Sequence, residues 1–323
     1  MAVYVLDHYY LAITVLVTTA YQLLGFAIAW TFQFDKITDF TGGSNFFILA
    51  LLTLLIGNEF HARNIVASVL VMVWATRIAG FLLFRVLKTG SDNRFDEIRS
   101  NFLKFLGQIL WVWTVSLPLT ILNSPAISDI SRSGSNPAFG TSRDIAGIVL
   151  WVLGWLIETV SDAQKFRYKM AKGKPKDKPV LTGLWKWSRH PPYFGEIMCW
   201  WGIWILCLSP TTNGSLPSSS KSAQYGAIVS PLFTLILLMF GSGVPTAEKP
   251  QAKKFFLMSY GDNAKPEDAY LRNTSILIPI PPAIYKPLPR VIKQTLLLDF
   301  PMYQFDEGRD GAAAIEQSRK NSV

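Results

Sequence analysis

The stretch SRHPPYFGEIMCWWGIWILCL, residues 188–208, joins a short charged segment to one of the most apolar runs in the chain. Arg189, His190 and Glu196 lie where the apolar run begins, and a charge at that place is costly to desolvate. Ionisable side chains within or at the edge of a membrane span usually face a partner or a water-filled cavity. The stretch therefore predicts a transmembrane helix whose first turns line a polar site.

The composition of the whole chain is that of a membrane protein. Of its 323 residues, 50% are hydrophobic and 16% are charged, whereas a soluble domain usually carries about 25% charged residues. Several apolar runs approach the ~20 residues that cross a bilayer. They cover 9–32, 64–87, 102–122, 145–161, 193–210 and 225–243, with a shorter run at 46–57. We therefore expect an all-α fold, a multi-pass transmembrane helical bundle of about seven spans.

Lysine and arginine are unevenly distributed between the loops. Most of the 31 basic residues fall within 85–104, within 165–189 or after Glu248, whereas loops 123–144 and 211–224 carry few. Because basic loops stay on the cytoplasmic side, seven spans would place these loops and the C-terminus in the cytosol. The net charge of +9 then follows from topology and indicates no nucleic-acid partner. A glycosylation sequon at Asn213, in a predicted outside loop, favours the endoplasmic reticulum.

Three predicted spans carry polar residues at intervals of three or four, which places them on one helical face. The faces are Trp74, Arg77, Phe81 and Arg85; Trp151, Trp155, Glu158, Asp162 and Lys165; and Arg189, Tyr193, Glu196 and Trp200. All three lie toward the predicted cytoplasmic side, and their residue types suit a cavity for a phosphorylated nucleotide beside a lipid. Two alternatives stay open. Arg85 could extend to the lipid headgroups, and Glu158 with Asp162 could pair with basic residues inside the bundle.

Other chemistries lack their motifs in this sequence. Neither a GxGxxG segment after a strand nor a GxxxxGK[ST] segment is present, which argues against a soluble nucleotide-binding fold. The three histidines are far apart in the chain, and the two cysteines, Cys199 and Cys207, lie on one predicted helix. We therefore expect no metal site and no disulfide framework.

The segment GLWKWSRHPPYFGEIMCWWG, residues 183–202, resembles the signature of the steroid 5α-reductase and sterol Δ14-reductase superfamily. In that signature Arg-His-Pro-Asn-Tyr-x-Gly followed by an acid opens a late span. Three further pieces resemble one branch of the superfamily in the same order. They are RIAGFLLFRVLKTGSDNRFDEIR at 77–99, SDAQKF at 161–166, and SGVPTAEK…SYG…AYLRNTSILIP within 241–279.

The resemblance implies a steroid-reductase-like membrane fold that binds NADPH from the cytosolic side. It implies hydride transfer to a carbon–carbon double bond of a sterol, steroid or other unsaturated lipid taken from the bilayer. Carried over by position, Glu196 and Asp162 would lie near the nicotinamide and ribose of the cofactor, and Glu196 and Tyr193 would be the catalytic candidates. The remaining cofactor-binding candidates are Arg77, Arg85, Arg94, Lys165, Arg189, His190, Glu248, Tyr270 and Arg272.

One position departs from the signature, and two other functions stay open. Pro192 stands where the superfamily has asparagine, and proline offers neither a side-chain amide nor a backbone N–H. A catalytically inactive lipid-binding member of the fold is therefore one alternative. The other is a membrane methyltransferase of the isoprenylcysteine or phospholipid type, which uses S-adenosylmethionine and shares Arg-His-Pro-x-Tyr-x-Gly. Glu196 directly after the glycine and the Asp162-Ala-Gln-Lys165 segment favour the reductase.

The sequence divides into three predicted regions. Residues 1–63 form the N-terminal spans on the substrate side, where Tyr21 and Glu59 are candidates for the proton donor that reduction requires. Residues 64–279 form the reductase-like core with the cofactor site. Residues 280–323 begin with the proline-rich IPPAIYKPLP, and their composition predicts a disordered cytosolic tail.

Overall fold

The apolar runs of the sequence fold as helices. The computed structural model describes residues 5–32, 37–89, 102–171, 180–258 and 266–320. Over these ranges the extended pairing is limited to two isolated bridges, Val5 with Asp7 and Ser188 with Ser275. The prediction of an all-α, multi-pass helical bundle is confirmed.

The helices are named here in chain order. They are α1 (Leu11–Phe32), α2 (Ile37–Gly57), α3 (Ala62–Thr89), α4 (Phe102–Leu122), α5 (Pro125–Ser128), α6 (Ser142–Met170), α7 (Pro191–Cys207), α8 (Ser209–Asn213), α9 (Ser218–Gly226), α10 (Val229–Ile236), α11 (Val244–Met258), α12 (Pro266–Asn273), α13 (Pro282–Tyr285), α14 (Arg290–Thr295) and α15 (Glu307–Lys320). Short 3₁₀ turns cover Ile130–Arg132, Gly183–Lys186 and Pro301–Tyr303, and a π-helical turn covers Leu237–Gly241.

In the described part of the chain, six segments are long and apolar enough to cross a membrane. They are Leu11–Thr31, Phe40–Gly57, Ala62–Phe84, Leu106–Ser128, Ser142–Met170 and Ser218–Lys254. The run at 46–57, which is short in the sequence, belongs to the 21-residue helix α2. The protein is therefore an integral membrane protein.

The run at 193–210 folds as α7, which has 17 residues. At 1.5 Å per residue it is about 26 Å long, at the lower limit of the ~17–25 residues that span a bilayer. The helix ends at Cys207, and Pro210 follows in the first turn of α8. Proline cannot continue the hydrogen-bond ladder of a helix, which explains why this run is shorter than its apolar composition indicates.

The chain packs as two compact units. The first unit comprises Met1–Val152 and Cys199–Thr234, and the second comprises Leu153–Met198 and Leu235–Val323. The predicted boundary after residue 63 thus lies inside the first unit, and the predicted core at 64–279 is shared between both.

An aromatic cluster fills the core of the first unit. Phe46 of α2 is fully buried, and its ring centroid lies 5.2 Å from that of Trp74, 5.1 Å from that of Trp111 and 5.2 Å from that of Trp200. These rings come from α2, α3, α4 and α7, so one cluster holds four helices together. The burial of large aromatic side chains is among the strongest contributions to packing energy.

Pairs of glycines allow α6 and α7 to cross at close range. Within the first unit, a Cβ atom on Gly147 would lie 2.6 Å from the carbonyl oxygen of Gly202. Within the second unit, a Cβ atom on Gly195 would lie 2.5 Å from the carbonyl oxygen of Gly154. The glycines are seven residues apart on each helix and run in opposite directions, which defines an antiparallel register. Only glycine permits this backbone approach, as is common between helices in membranes.

The C-terminal segment is folded in the structure, whereas its composition predicts disorder. Residues 280–320 form α13, α14, a 3₁₀ turn and α15. Tyr285 is fully buried, Tyr303 is 2% exposed, and Asp299 is buried with them. The prolines begin short helices, a position that tolerates the missing N–H. The buried rings of Tyr285 and Tyr303 anchor the segment, and a prediction from composition does not include their burial.

Candidate functional site

Arg189 is the centre of a buried ion cluster in the second unit. Its Nη1 donates to Oε2 of Glu248 at 2.6 Å, and its Nη2 donates to Oδ1 of Asp299 at 2.8 Å. The Arg189 side chain is 7% exposed. Hydrogen bonds between two charged groups are shorter and stronger than neutral ones, so the geometry fixes the plane of the guanidinium.

Two titratable rings complete this cluster. Nε2 of His190 lies 2.6 Å from Oε1 of Glu248, and the hydroxyl of Tyr285 donates to Oδ2 of Asp299 at 2.7 Å. Arg189, His190, Glu248, Asp299 and Tyr285 are called the Arg189 cluster below. Because a carboxylate only accepts hydrogen bonds, Nε2 of His190 carries the hydrogen in this contact.

Burial determines the protonation of both rings. It lowers the pKa of His190, and the hydrogen bond to Glu248 offsets only part of that effect. It raises the pKa of Tyr285, and the neighbouring Asp299 raises that pKa further. A neutral imidazole and a neutral phenol therefore accompany one guanidinium and two carboxylates. The two carboxylates more than offset the charge of Arg189.

Backbone pairing holds Arg189 in place. The N–H of Arg189 donates to the carbonyl of Ser275 at 2.8 Å, and the hydroxyl of Ser188 donates to the carbonyl of Leu277 at 2.7 Å. Helix α7 then begins with Pro191 and Pro192, which lack the N–H groups that a first turn would leave unbonded. The cluster is thus assembled where the 275–277 segment lies alongside the entrance to α7.

One donor of the cluster, Nε of Arg189, has no acceptor in the described part of the chain. Nε of Arg189 is buried and makes no hydrogen bond to any described residue. An unsatisfied buried donor is unfavourable by about 1–3 kcal/mol, and such a group in a native structure calls for an explanation such as an absent ligand. Tyr193 lies on the first turn of α7, and its ring stacks on that of His190 with 5.1 Å between the centroids.

The predicted acids of α6 and α7 all lie in the second unit. Glu196 and Glu158 are buried, and Asp162 is half-buried. A Cβ atom on Gly195 would meet both the carbonyl oxygen of Gly154 and the backbone N of Glu158, so the first turns of α7 lie against the 154–158 turn of α6. Glu196 therefore lies close to the turn of α6 that precedes Asp162.

Lys165, Tyr270 and Trp185 form a second group of contacts in this unit. Nζ of Lys165 lies 4.5 Å from the centre of the Trp185 ring, and the hydroxyl of Tyr270 donates to the Trp185 carbonyl at 3.0 Å. The Trp185 indole donates to the carbonyl of Ser161 at 2.9 Å. Burial raises the pKa of Tyr270. The 161–166, 183–202 and 241–279 segments of the sequence are therefore interlocked.

The other predicted residues are distributed over both units. Arg272 is exposed at the end of α12 in the second unit, and Arg77 is half-buried on α3 in the first. Arg94 and the side chain of Arg85 lie outside the described residues. The two proton-donor candidates of the early spans make local contacts. The hydroxyl of Tyr21 lies 2.9 Å from that of Ser44, and Glu59 lies 3.1 Å from His61.

Sequence reasoning missed two members of the Arg189 cluster, Asp299 and Tyr285. Both lie in the proline-rich segment that was predicted to be disordered. A signal was nevertheless present, because Asp299 is an acid within the apolar run LLLDF at 296–300. The same feature, an acid within an apolar run, identifies Glu196.

A second buried arginine was also missed. In the first unit, Nε and Nη2 of Arg63 donate to the two carboxylate oxygens of Asp144 at 2.7 and 2.8 Å. Nη1 donates to the carbonyl of Pro137 at 3.0 Å and to the side chain of Asn136. Asp144 also accepts from the backbone of Gly140 at 2.9 Å. All three nitrogens of this guanidinium are satisfied.

Comparison with known proteins places the chain in a family. It belongs to DUF1295, a family of proteins of unknown function, whose profile matches residues 25–261. No curated protein and no solved structure matches the chain significantly. The matched range includes Arg189, His190, Glu196 and Glu248, and it ends before Tyr285 and Asp299.

Proposed function

We propose that the protein is an NADPH-dependent membrane oxidoreductase that reduces a carbon–carbon double bond of a sterol, steroid or other unsaturated lipid by hydride transfer. The observation that carries the proposal is the meeting of distant segments in the second unit. Arg189 and His190 from the 183–202 segment bind Glu248 from the 241–279 segment. Trp185, also from the 183–202 segment, binds Ser161 of the 161–166 segment and Tyr270 of the 241–279 segment. These are three of the four segments on which the resemblance to the reductases rests.

The second unit offers separate side chains for the phosphate and ribose groups of a dinucleotide. Each Nη atom of Arg189 donates to a carboxylate, so Arg189 would orient its neighbours and offer its remaining N–H groups, Nε first, to a ligand oxygen. Lys165, held against Trp185, is the better candidate for a phosphate. Asp162 would accept hydrogen bonds from ribose hydroxyls. NADPH, when bound, supplies the hydride.

The chain itself must supply a proton or a hydrogen-bond donor to the substrate. Hydride adds to one carbon of the double bond and a proton to the other, and where the bond is conjugated to a carbonyl a positioned donor stabilises the negative charge that develops on its oxygen. Tyr193 and Glu196, on consecutive turns of α7, are our candidates. The ring of Tyr193 is held by its stacking on His190, and Glu196 is held where α6 and α7 cross at Gly195.

We further propose that the protein resides in the endoplasmic reticulum with its basic loops and C-terminus in the cytosol. The concentration of lysine and arginine in those segments supports this orientation. Asn213 of the glycosylation sequon is exposed at the end of α8. On this orientation, in which the 17-residue α7 is the seventh span, it would face the lumen.

A titration of purified protein in detergent tests the proposed reaction class. NADPH should raise the midpoint of heat denaturation, and S-adenosylmethionine should not. Glu196→Gln should weaken the NADPH effect by removing a charge at the α6–α7 crossing. Glu316→Gln, an exposed acid on α15, is the matched control and should behave as wild type.

The other outcomes identify the competing functions. Stabilisation by S-adenosylmethionine alone would replace the proposal with a methyltransferase. Stabilisation by neither compound would favour a non-catalytic lipid-binding protein. Pro192, which replaces the signature asparagine at the start of α7, is the feature that suggests this function. Lipid extracts from cells with and without the protein, compared by mass spectrometry, should contain a pair of lipids that differ by two hydrogens.

A further inference from the structure

The second unit has an open groove between α6 and the turn that precedes α7. The groove has a volume of about 570 Å³. Leu156, Ile157 and Val160 of α6 form one wall, and Leu184, Lys186 and Trp187 form the other. Leu156 and Val160 are 45% and 43% exposed, so the apolar wall is open to the surroundings rather than packed against protein. None of these residues belongs to the Arg189 cluster.

The groove is pre-formed because its second wall is anchored to α6. The N–H of Leu184 donates to the side-chain oxygen of Gln164 at 3.0 Å. Gly183 has a positive φ of 60°, and a Cβ atom there would overlap the amide of Gln164. The Trp185 indole, which is buried, adds its hydrogen bond to Ser161. These contacts fix the distance between the two walls.

Polarity changes along the groove from one end to the other. Along α6 the lining passes from Leu156, Ile157 and Val160 to Gln164, whose side chain accepts from the N–H of Leu184, and Lys186 lines the opposite wall. From Leu156 to Gln164 the wall extends about 12 Å at 1.5 Å per residue. Beyond Gln164, α6 continues with basic residues that end its last turn, Arg167 and Lys169. The groove thus has the polarity of an amphiphile with an anionic head.

We propose that this groove binds one anionic phospholipid, with an acyl chain along Leu156 and Val160 and the phosphate at Lys186. Lys186 is exposed and Trp187 is 43% exposed, as expected for residues at the level of the headgroups. Basic sites at the ends of membrane helices bind anionic headgroups in this way. The inference goes beyond the proposed reaction and does not depend on it.

Native mass spectrometry of the detergent-solubilised protein tests the site. The protein is mixed with equal amounts of phosphatidylglycerol and phosphatidylcholine that carry identical acyl chains. We expect one retained phosphatidylglycerol per protein and a preference for it over phosphatidylcholine. Lys186→Gln should reduce this preference about fivefold, which is the contribution of one lysine near a charged surface. Lys186→Arg should retain it.

Two further variants separate the groove from general lipid association. Val160→Trp places a large ring in the groove and should reduce the retention of both lipids, and Leu156→Trp serves the same purpose if the first variant is unstable. Lys286→Gln changes an exposed lysine elsewhere in the second unit and should leave the preference unchanged.

Three results would overturn the proposal. They are equal retention of the two lipids by the wild type, retention that survives both tryptophan variants, and an equal loss of preference in Lys186→Gln and Lys286→Gln. A sterol that displaces phosphatidylglycerol one for one would assign the groove to a different ligand and would also refute the headgroup assignment.

Discussion

The two buried arginines of this protein, Arg63 and Arg189, differ in how completely their hydrogen bonds are satisfied. Every side-chain nitrogen of Arg63 donates to Asp144, to a backbone carbonyl or to Asn136. Arg189 binds two carboxylates through Nη1 and Nη2, and its Nε has no acceptor among the described residues. A saturated network leaves no donor for a ligand, whereas an incomplete one does.

The partners of the two arginines differ as well. Asp144 is held by the backbone of Gly140 and Thr141, so the Arg63 network is a rigid closure of a loop. The carboxylates of Arg189 come from α11 and from the C-terminal segment, and titratable rings lie next to them. We infer that the first network maintains the fold and that the second belongs to a functional site.

The largest effect expected from this comparison is on stability in the first unit. Arg63→Met would leave the Asp144 carboxylate, which is 1% exposed, without its counter-charge. Breaking a buried ion pair in this way destabilises a protein by about 3–5 kcal/mol. Unfolding of the purified protein in detergent, followed by heat or by denaturant, should show a loss of this size.

Arg132→Met is the matched control for that variant. Arg132 is 31% exposed and lies 3.4 Å from Asp129, and a pair of this kind contributes about 0–1 kcal/mol. Equal losses in the two variants would contradict the structural role assigned to the Arg63 network.

An intermediate effect is expected from the tyrosines of the C-terminal segment. Tyr285→Phe removes a hydrogen bond to the Asp299 carboxylate, whereas Tyr303→Phe removes one to the neutral carbonyl of Met239 at 2.6 Å. Hydrogen bonds to charged groups contribute about 1.5–3 kcal/mol and neutral ones about 0.5–1.5 kcal/mol. Both tyrosines are buried, so the difference in unfolding free energy reports the charge of the acceptor.

The reverse order of these two losses would contradict the assignment of the stronger hydrogen bond to the Tyr285–Asp299 pair. Unchanged stability in both variants would contradict the folded state of residues 280–303, on which the Arg189 cluster depends.

The smallest expected effect is a pH dependence from His190. Burial lowers the pKa of its imidazole below the ordinary value of 6.5, so the unfolded chain takes up a proton before the folded protein does. The contribution of His190 to stability is therefore present above pH 6.5 and is lost as the pH falls below it. Denaturation midpoints measured across this range should decline less steeply in His190→Gln.

His61→Gln is the control for this measurement, because the His61 side chain is 36% exposed. The change of slope in His190→Gln is judged against the slope of this variant. A slope that is unchanged in His190→Gln would place the imidazole in a more hydrated environment than the Arg189 cluster provides.

The sequence predicted those parts of the molecule that depend on local pattern. Apolar runs of span length became helices, and the charged residues at the entrance to α7 became part of a buried cluster. Partners that lie far apart in sequence could not be predicted. Arg63 and Asp144 are separated by 81 residues, and Arg63 on its own has the features of an ordinary loop cation. The C-terminal segment was mispredicted because composition measures proline content and not the burial of Tyr285 and Tyr303.

The most direct test of the central claim compares NADPH binding by Arg189→Lys and Arg63→Lys, each titrated by calorimetry in detergent. Lysine keeps the charge of arginine but cannot reproduce its planar fork. We predict that Arg189→Lys weakens NADPH binding at least about tenfold, as the loss of charge-assisted hydrogen bonds would require. Arg63→Lys should lower stability and leave the affinity of the folded protein unchanged. Wild-type affinity in Arg189→Lys, or equal losses in both variants, would contradict the assignment of the ligand site to the Arg189 cluster.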